Sequence, residues 1–175
     1  VRVRCPDFEY SRSFRRIQNK NSDLTRSILP PTATQEQYQL FSTYQDARHG
    51  NGDMARMDAR DYRAMIEDST IDTSIYEYRC AVNSLIAVAL VDNLADGLSA
   101  VYSFFDPAEH KRGLGTYIIL DLIEEAQLLD LPHIYLGYWI GDCRKMSYKM
   151  RFQPLEGFRD GQWVSMSDTG PDTCA

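Results

Sequence analysis

The sequence predicts an α+β fold in which a central, mostly antiparallel sheet is flanked by helices. Three observations lead to this prediction. Residues 98–105 and 133–140 are apolar, aromatic runs of the kind found in buried strands. A helix-length segment, residues 116–129, lies between them and ends at a proline-containing breaker. Two further strand-like runs, residues 73–80 and 81–91, precede this unit, and consecutive strands of this kind usually pair in antiparallel order.

The chain begins with a basic region. Residues 1–8 alternate apolar and charged side chains, which predicts a half-exposed strand. Ser11 or Ser13 can cap a short helix that carries several basic residues. Two consecutive prolines then interrupt the chain, so we assign residues 1–31 to an N-terminal region made of a strand and a short helix.

Two helices with capping signals follow. Thr32 or Thr34 can cap a helix that ends near residue 47, and Asp58 can cap a helix through residue 66. Aromatic residues recur at helical spacing in the first of these helices, which predicts a stripe that faces the core: Tyr38, Phe41 and Tyr44. The loop between the helices contains His49, but no second ligand lies at a workable spacing, so we predict no metal site.

The remaining segments complete one domain. Residues 93–97 predict a hairpin turn that leads into the strand at 98–105. Residues 158–166 predict a last strand or pair of strands. We therefore place a single domain at residues 32–166 and expect a flexible tail at residues 167–175.

The loop after residue 105 is the first candidate for a functional site. Asp106-Pro107 ends the strand because proline lacks a ladder donor. A basic loop precedes the helix and has the sequence Lys111-Arg112-Gly113-Leu114-Gly115. The first amides of such a helix suit a phosphate, a carboxylate or a developing oxyanion, and glycines let a ligand approach the backbone closely. The alternative is that Gly113 and Gly115 only permit a tight strand-to-helix turn.

The distribution of charge is uneven. The net charge of −6 argues against a protein that binds nucleic acid over its whole surface. However, residues 1–26 contain seven basic and three acidic residues, and residues 143–154 contain four basic residues and no acidic one. If the two segments share one face, they can hold a phosphate backbone; otherwise they are solvated surface charge.

Cysteine usage and hydropathy indicate a cellular compartment. The four cysteines are far apart and form no C-x-x-C pair, which is typical of a reduced cytoplasmic protein. No apolar run approaches the roughly 20 residues that are needed to span a bilayer. We therefore expect a cytoplasmic protein without a membrane partner, and we expect a monomer.

Several blocks of the sequence resemble known families. The loop Arg112-Gly113-Leu114-Gly115, between a strand and a helix, resembles the pyrophosphate loop of the GNAT acyltransferase superfamily. Five blocks in order resemble the C-terminal domain of the aminoacyl-tRNA–protein transferases: GLSAVY at 97–102, FDP at 105–107, LGTY at 114–117, YLGYWI at 135–140 and CRKMSYK at 143–149. The resemblance implies a GNAT-like acyltransferase fold. In that family a cysteine-rich region precedes this domain, and we expect residues 1–31 to be the remnant of such an N-terminal region.

The resemblance also implies a reaction. Enzymes of this family transfer an amino acid from charged tRNA to the N-terminal α-amine of proteins that begin with Asp or Glu, in the N-degron pathway. The residues of these blocks are most similar to those of the bacterial form, which transfers leucine. Arginine is the alternative for the transferred amino acid. Aminoacyl-tRNA is then a co-substrate, and no cofactor is expected. There are two alternative hypotheses for the function. The first is an N-acetyltransferase that uses acetyl-CoA, and the second is a non-catalytic adaptor for tRNA or protein N-termini.

Aminolysis of an ester sets the requirements for the site. The enzyme must align amine and ester, accept a proton and stabilise the tetrahedral oxyanion. The candidate catalytic residues are Asp106, Tyr138 and Tyr148. Asp106 can accept the amine proton or orient the substrate ammonium, or it can only cap the loop. Cys143 is a weaker candidate nucleophile because no histidine follows it in the chain.

The candidate binding residues are mostly cations and glycines. Those for the aminoacyl group and the acidic N-terminus are Arg112, Gly113, Gly115, Trp139, Arg144, Lys145 and Lys149. Those for tRNA are Arg12, Arg15, Arg16, Lys20 and Arg151. Arginine can grip a carboxylate with two hydrogen bonds, and aromatic side chains can stack on the terminal adenine or line an aminoacyl pocket. Lys145 and Lys149 would share one face if residues 144–151 were helical.

Overall fold

A computed structural model of the chain describes residues 1–49, 57–140, 143 and 146–166. Four α-helices lie within these residues: α1 (Arg12–Lys20), α2 (Gln35–His49), α3 (Ala59–Glu67) and α4 (Leu114–Leu128). The strands of the described residues are β1 (Arg2–Arg4), β2 (Thr25–Leu29), β3 (Thr73–Arg79), β4 (Leu85–Leu94), β5 (Gly97–Phe105), β6 (His133–Tyr135), β7 (Leu155–Arg159) and β8 (Gln162–Met166). Two 3₁₀ helices span Pro107–Arg112 and Ser147–Arg151. The predicted tail at 167–175 lies outside the described residues.

The eight strands form one sheet in the order β2-β3-β4-β5-β6-β1-β7-β8. Every neighbouring pair is antiparallel except β5 and β6, which are parallel. The parallel pair needs a crossover connection, and α4 supplies it. The predicted α+β, GNAT-like architecture is therefore confirmed. The first 31 residues contribute β1, α1 and β2 to this structure.

Helices cover the sheet on both faces. Side chains of β4 alternate between two apolar clusters, with Ala87 and Ala89 in one and Val88 and Leu90 in the other. The first cluster packs under α1 and α4, and the second under α2 and α3. Of the described helices, none combines the length and apolar character that crossing a lipid bilayer requires.

The capping signals are confirmed where they were predicted. The hydroxyl of Ser11 accepts a hydrogen bond from the Phe14 amide at 3.2 Å, at the start of α1. Thr34 accepts from the Gln37 amide at 3.2 Å, and Asp58 forms a capping box with Asp61. The predicted aromatic stripe of α2 faces the core, since Phe41 and Tyr44 are buried. The residues 158–166 belong to a pair of strands, β7 and β8, which extends back to residue 155.

Several segment boundaries differ from the sequence prediction, and one strand was not predicted. The strand predicted at residues 1–8 covers only Arg2–Arg4. The strand predicted from residue 81 begins only at Leu85, because Asn83 adopts a left-handed φ of 64° in a turn. α4 begins two residues early, at Leu114. The strand predicted at 133–140 ends at Tyr135, where the chain leaves its neighbour β5. The edge strand β2 was not predicted, because its five residues show no clear alternation of apolar and polar side chains.

Replacing Gly97 with alanine tests how closely β5 and β6 must approach. A Cβ at this position would lie 2.3 Å from the carbonyl oxygen of His133, which is backbone and cannot rotate away. We expect Gly97→Ala to lower the free energy of unfolding by about 1–3 kcal/mol, the usual cost of overpacking. Urea denaturation measures this change.

The matched control is Gly115→Ala, at the start of α4. Its methyl group would lie 3.5 Å from the Phe105 ring, which is ordinary van der Waals contact. Alanine is the better helix former, so the free energy of unfolding should stay the same or rise. Equal destabilisation by the two substitutions would contradict the proposed clash.

Candidate active site

The sheet opens between β5 and β6, and this opening is the centre of the candidate site. The parallel pair contains only three residue pairs and ends at Ser99 and Tyr135. β5 continues to Phe105, and in the part of the chain that the structure describes it has no strand partner on this side beyond Ser99. A bulge in the pairing with β4 lies at the same level and leaves Val101 outside the register. Unpaired backbone groups on such an edge are available to a ligand.

Lys149 holds the chain that departs from the sheet. Its side chain is buried, and its Nζ donates hydrogen bonds to the carbonyl oxygens of Leu136 at 2.7 Å and Tyr138 at 2.5 Å. Burial lowers the pKa of this lysine. The ammonium group is thus turned inward onto backbone, and it ties the 3₁₀ helix Ser147–Arg151 to the segment after β6.

The N-terminus of α4 lies beside the end of β5, where the Phe105 ring approaches Gly115. Gly113 is the N-cap residue, with a φ of 69° that favours glycine, and no described side chain caps the helix. A Cβ on Gly113 would contact Ile17 of α1 at 3.7 Å. The first amides of α4 therefore keep their positive potential for a ligand.

Arg112 and Asp106 both stabilise the turn before α4. The guanidinium of Arg112 donates to Asp23 at 2.6 and 2.9 Å and to Glu109 at 2.7 Å. The hydrogen bond from Arg112 lowers the pKa of Asp23. The carboxylate of Asp106 accepts from the amide of Ala108 at 2.9 Å and caps the 3₁₀ helix Pro107–Arg112. Arg112 is thus already neutralised by two carboxylates, and Asp106 has a capping contact at the end of β5.

A cluster of aromatic rings borders the opening on the α2 side. The Phe105 ring lies 5.0 Å from the Tyr44 ring, edge to face, and also contacts the first turn of α4 near Gly115. Arg48 places its guanidinium carbon 5.6 Å from the Tyr44 ring and 5.5 Å from the Phe105 ring. Sequence reasoning did not single out Arg48. The available signal was its position four residues after Tyr44, where it continues the aromatic stripe of α2.

The tyrosines and the tryptophan predicted from sequence lie around the same opening. Tyr138 is 88% exposed and Tyr148 is 41% exposed, whereas Trp139 packs partly against the core. The Nε1 of Trp139 is buried and has no hydrogen-bond partner among the described residues. Tyr138, Trp139 and Phe158 help to line a cavity of about 410 Å³ beside the end of β6. Burial raises the pKa of Tyr148, and the neighbouring Tyr44 adds to this shift.

The two basic segments meet at α1. All four candidate cations of this helix are exposed: Arg12, Arg15, Arg16 and Lys20. Arg151 places its guanidinium carbon 5.3 Å from the ring of Phe14, and Lys20 donates to the Lys111 carbonyl at 2.8 Å. A basic ridge therefore runs from Arg151 along α1 to the turn before α4. The candidates Arg144 and Lys145 lie outside the described residues.

An antiparallel sheet that opens at one parallel pair, with an uncapped helix N-terminus beside the opening, defines a GNAT-like fold. The family model described as "Arginine-tRNA-protein transferase, C terminus" matches residues 36–159. The chain belongs to this family of aminoacyl-tRNA–protein transferases, and it is an aminoacyltransferase.

Two curated relatives carry the name aspartate/glutamate leucyltransferase. The protein from Paramagnetospirillum magneticum is 53% identical over 163 residues, which cover 93% of this chain and 67% of the relative. The protein from Rhodospirillum rubrum is 52% identical over 171 residues, which cover 97% of this chain and 70% of the relative. The chain is thus similar to these relatives over nearly its whole length.

A solved structure supports the fold. The structure of L-PGS from Bacillus licheniformis superposes with a TM-score of 0.60 and 12% sequence identity. The match covers 82% of this chain and 47% of the L-PGS chain. At this identity the likeness shows the fold alone.

The role of Lys149 can be tested by stability. Lys149→Met would keep the aliphatic packing but leave the carbonyl oxygens of Leu136 and Tyr138 without their donor, the first in a buried and the second in a partly buried position. We expect the free energy of unfolding to fall by about 1–3 kcal/mol, because unsatisfied buried acceptors are costly. Thermal and urea unfolding both measure this loss. The control is Lys111→Met on the exposed turn, which should change stability by less than about 0.5 kcal/mol; similar values for the two variants would show that Lys149 is not a structural tie.

Proposed function

We propose that this protein transfers leucine from charged tRNA to the N-terminal α-amine of proteins that begin with Asp or Glu, and so marks them for degradation by the N-degron pathway. The observation that carries this proposal is the identity of about half the residues with aspartate/glutamate leucyltransferases over 93% of the chain. Because aminoacyl-tRNA is made in the cytoplasm, we place the reaction there.

The basic ridge supports tRNA as the acyl donor. Arg12, Arg15, Arg16 and Lys20 form one exposed face of α1, and the ridge ends next to Gly113. A phosphate backbone that follows these cations would deliver the 3′ end of the tRNA to the N-terminus of α4. A local row of cations can bind a polyanion despite the net charge of −6, and two of the acidic residues beside the turn before α4, Asp23 and Glu109, are paired with Arg112.

The opening between β5 and β6 suits aminolysis of the ester. In the proposed reaction, the substrate amine attacks the ester carbonyl, the new peptide bond forms, and the ribose oxygen leaves with a proton. The unpaired edge of β5 and the first amides of α4 would align the ester and stabilise the oxyanion. We propose Trp139 and Tyr138 as walls for the aminoacyl group or the terminal adenine, because both border the cavity. Asp106, at the end of β5, and Tyr148 are the proposed groups that handle the proton.

The substrate class can be tested directly. Purified protein is incubated with leucyl-tRNA, arginyl-tRNA or acetyl-CoA, together with peptides that begin with Asp, Glu or Ala. We expect leucine to be added to the Asp and Glu peptides and not to the Ala peptide. Transfer of arginine would replace leucine in the proposal, and transfer from acetyl-CoA alone would overturn it. Equal labelling of the Asp and Ala peptides would show that the protein does not prefer acidic N-termini.

The tRNA path is tested by the salt dependence of binding. Reversing the charge of Arg15 and Arg16 together should weaken tRNA binding and reduce the slope of log K against log salt by about one unit per lost phosphate contact. The control is Arg63→Glu on α3, which is exposed and lies on the other face of the sheet, so it should leave the slope unchanged. An unchanged slope in the Arg15/Arg16 variant would place the tRNA elsewhere.

A further inference from the structure

Arg48 differs in its charge balance from the arginines that join distant parts of the structure. Arg26, Arg79 and Arg112 each contact two carboxylates. Arg48 has no carboxylate partner among the residues that the structure describes, although the chain has an excess of acidic residues. Its side chain is exposed at the last turn of α2. The positive charge of Arg48 is therefore available to an anionic ligand.

The surroundings hold the guanidinium in a defined place. Its Nη1 donates to the Tyr44 hydroxyl at 3.1 Å, and its plane lies near the Tyr44 and Phe105 rings. The Phe105 ring in turn contacts the first turn of α4. Packing of this kind reduces the conformational freedom that a long side chain loses on binding, so Arg48 is positioned beside the reaction centre before a ligand arrives.

A tyrosine hydroxyl extends this donor group. The Tyr102 hydroxyl accepts a hydrogen bond from Gln45 Nε2 at 2.8 Å, so its own hydrogen points away from Gln45. Burial raises the pKa of Tyr102, and the positive charge of Arg48 acts in the opposite direction. Gln45 is buried, and its Oε1 has no partner among the described residues. The Arg48 guanidinium and the Tyr102 hydroxyl both lie on the α2 side of the sheet, and a guanidinium matches the planar, two-oxygen geometry of a carboxylate.

The position of Arg48 relative to the sheet indicates which substrate it meets. Arg48 lies on α2, which covers one face, whereas the basic ridge of α1 lies over the other. The amine attacks an ester carbonyl that is still joined to the tRNA. The acceptor must therefore approach this carbonyl from a side that the tRNA does not occupy. The face opposite the proposed tRNA path is the side open to the acceptor.

We propose that Arg48 binds the side-chain carboxylate of the acceptor's N-terminal residue, and that this contact sets the preference for Asp and Glu. The inference rests on the proposed function, because it assigns the part of the site that selects the acceptor. It also assigns the acceptor to the α2 side of the opening, with the Tyr102 hydroxyl as a second donor to the same carboxylate.

The experiment compares two peptides that differ only in charge at the first residue, one beginning with Asp and the other with Asn. Arg48→Gln should lower kcat/KM for the Asp peptide by about ten- to a hundredfold, the usual effect of losing a charge-assisted hydrogen bond. The value for the Asn peptide should change by less than about threefold. Arg48→Lys should keep part of the discrimination, because it retains the charge but not the paired donors. The matched control is Arg63→Gln, an exposed arginine on the neighbouring helix α3.

Two outcomes would overturn the assignment. An unchanged ratio of the two kcat/KM values in Arg48→Gln would show that Arg48 does not select the acceptor. An equal fall for both peptides, with a higher KM for the charged tRNA and a smaller salt slope, would show that Arg48 contacts a tRNA phosphate instead.

A binding measurement separates this inference from the proposed function. Titration of the wild-type protein with each peptide in the absence of tRNA, followed by NMR, should show tighter binding of the Asp peptide, and Arg48→Gln should abolish the difference. If no charged tRNA supports transfer, the proposed function is wrong, yet this difference in binding still supports the role of Arg48. Equal binding of the two peptides to the wild-type protein would overturn it.

Discussion

The early end of the β5–β6 pairing is the constraint on which the rest of the structure depends. A strand that loses its partner inside a sheet exposes backbone donors and acceptors that must be satisfied. On one side of the opening, Lys149 meets this need by donating to the carbonyl oxygens of Leu136 and Tyr138. On the other side, the edge of β5 beyond Ser99 has no strand partner within the described residues. The fold thus stabilises one wall of the opening with a buried cation, whereas the other wall is an edge of β5 without a strand partner among the described residues.

The two helical layers give the opening two different sides. α1 carries an exposed row of basic residues and packs against the turn before α4 through Ile17. α2 instead presents Tyr44 and Arg48 next to Phe105. The first side suits a polyanion and the second suits a small carboxylate. Because both sides meet at the N-terminus of α4, the same helix dipole favours negative charge from either direction.

The pairing of charges separates structural arginines from those that can bind a ligand. Arg26 joins β2 to α4 through Asp121 and Glu125, and the Tyr78 hydroxyl donates to the same Asp121 at 2.8 Å. Burial raises the pKa of Asp121, so this network carries a real desolvation cost that its hydrogen bonds offset. Arg112 has the same character at the turn before α4. The number of basic residues in a segment therefore does not identify the residue whose charge can bind a substrate. The carboxylates around each basic residue decide whether its charge is available.

Much of the fold was predictable because it depends on local chemistry. The caps at Ser11, Thr34 and Asp58 accept hydrogen bonds from amides two or three residues away. The apolar run of β5 by itself predicts a strand that packs in the sheet. The family blocks also indicated the reaction, since they mark the opening, the turn and α4. These features were determined by the sequence alone.

Other features were decided only when distant segments came together. The length of β6, the inward direction of Lys149 and the two carboxylates on Arg112 all depend on residues far away in the chain, such as Asp23, 89 positions from Arg112. The surroundings of Arg48 are not apparent from the sequence for the same reason, because its contact with the Phe105 ring joins distant segments. Sequence patterns report the interactions of near neighbours, whereas the direction and charge balance of a side chain are set by what packs against it in three dimensions.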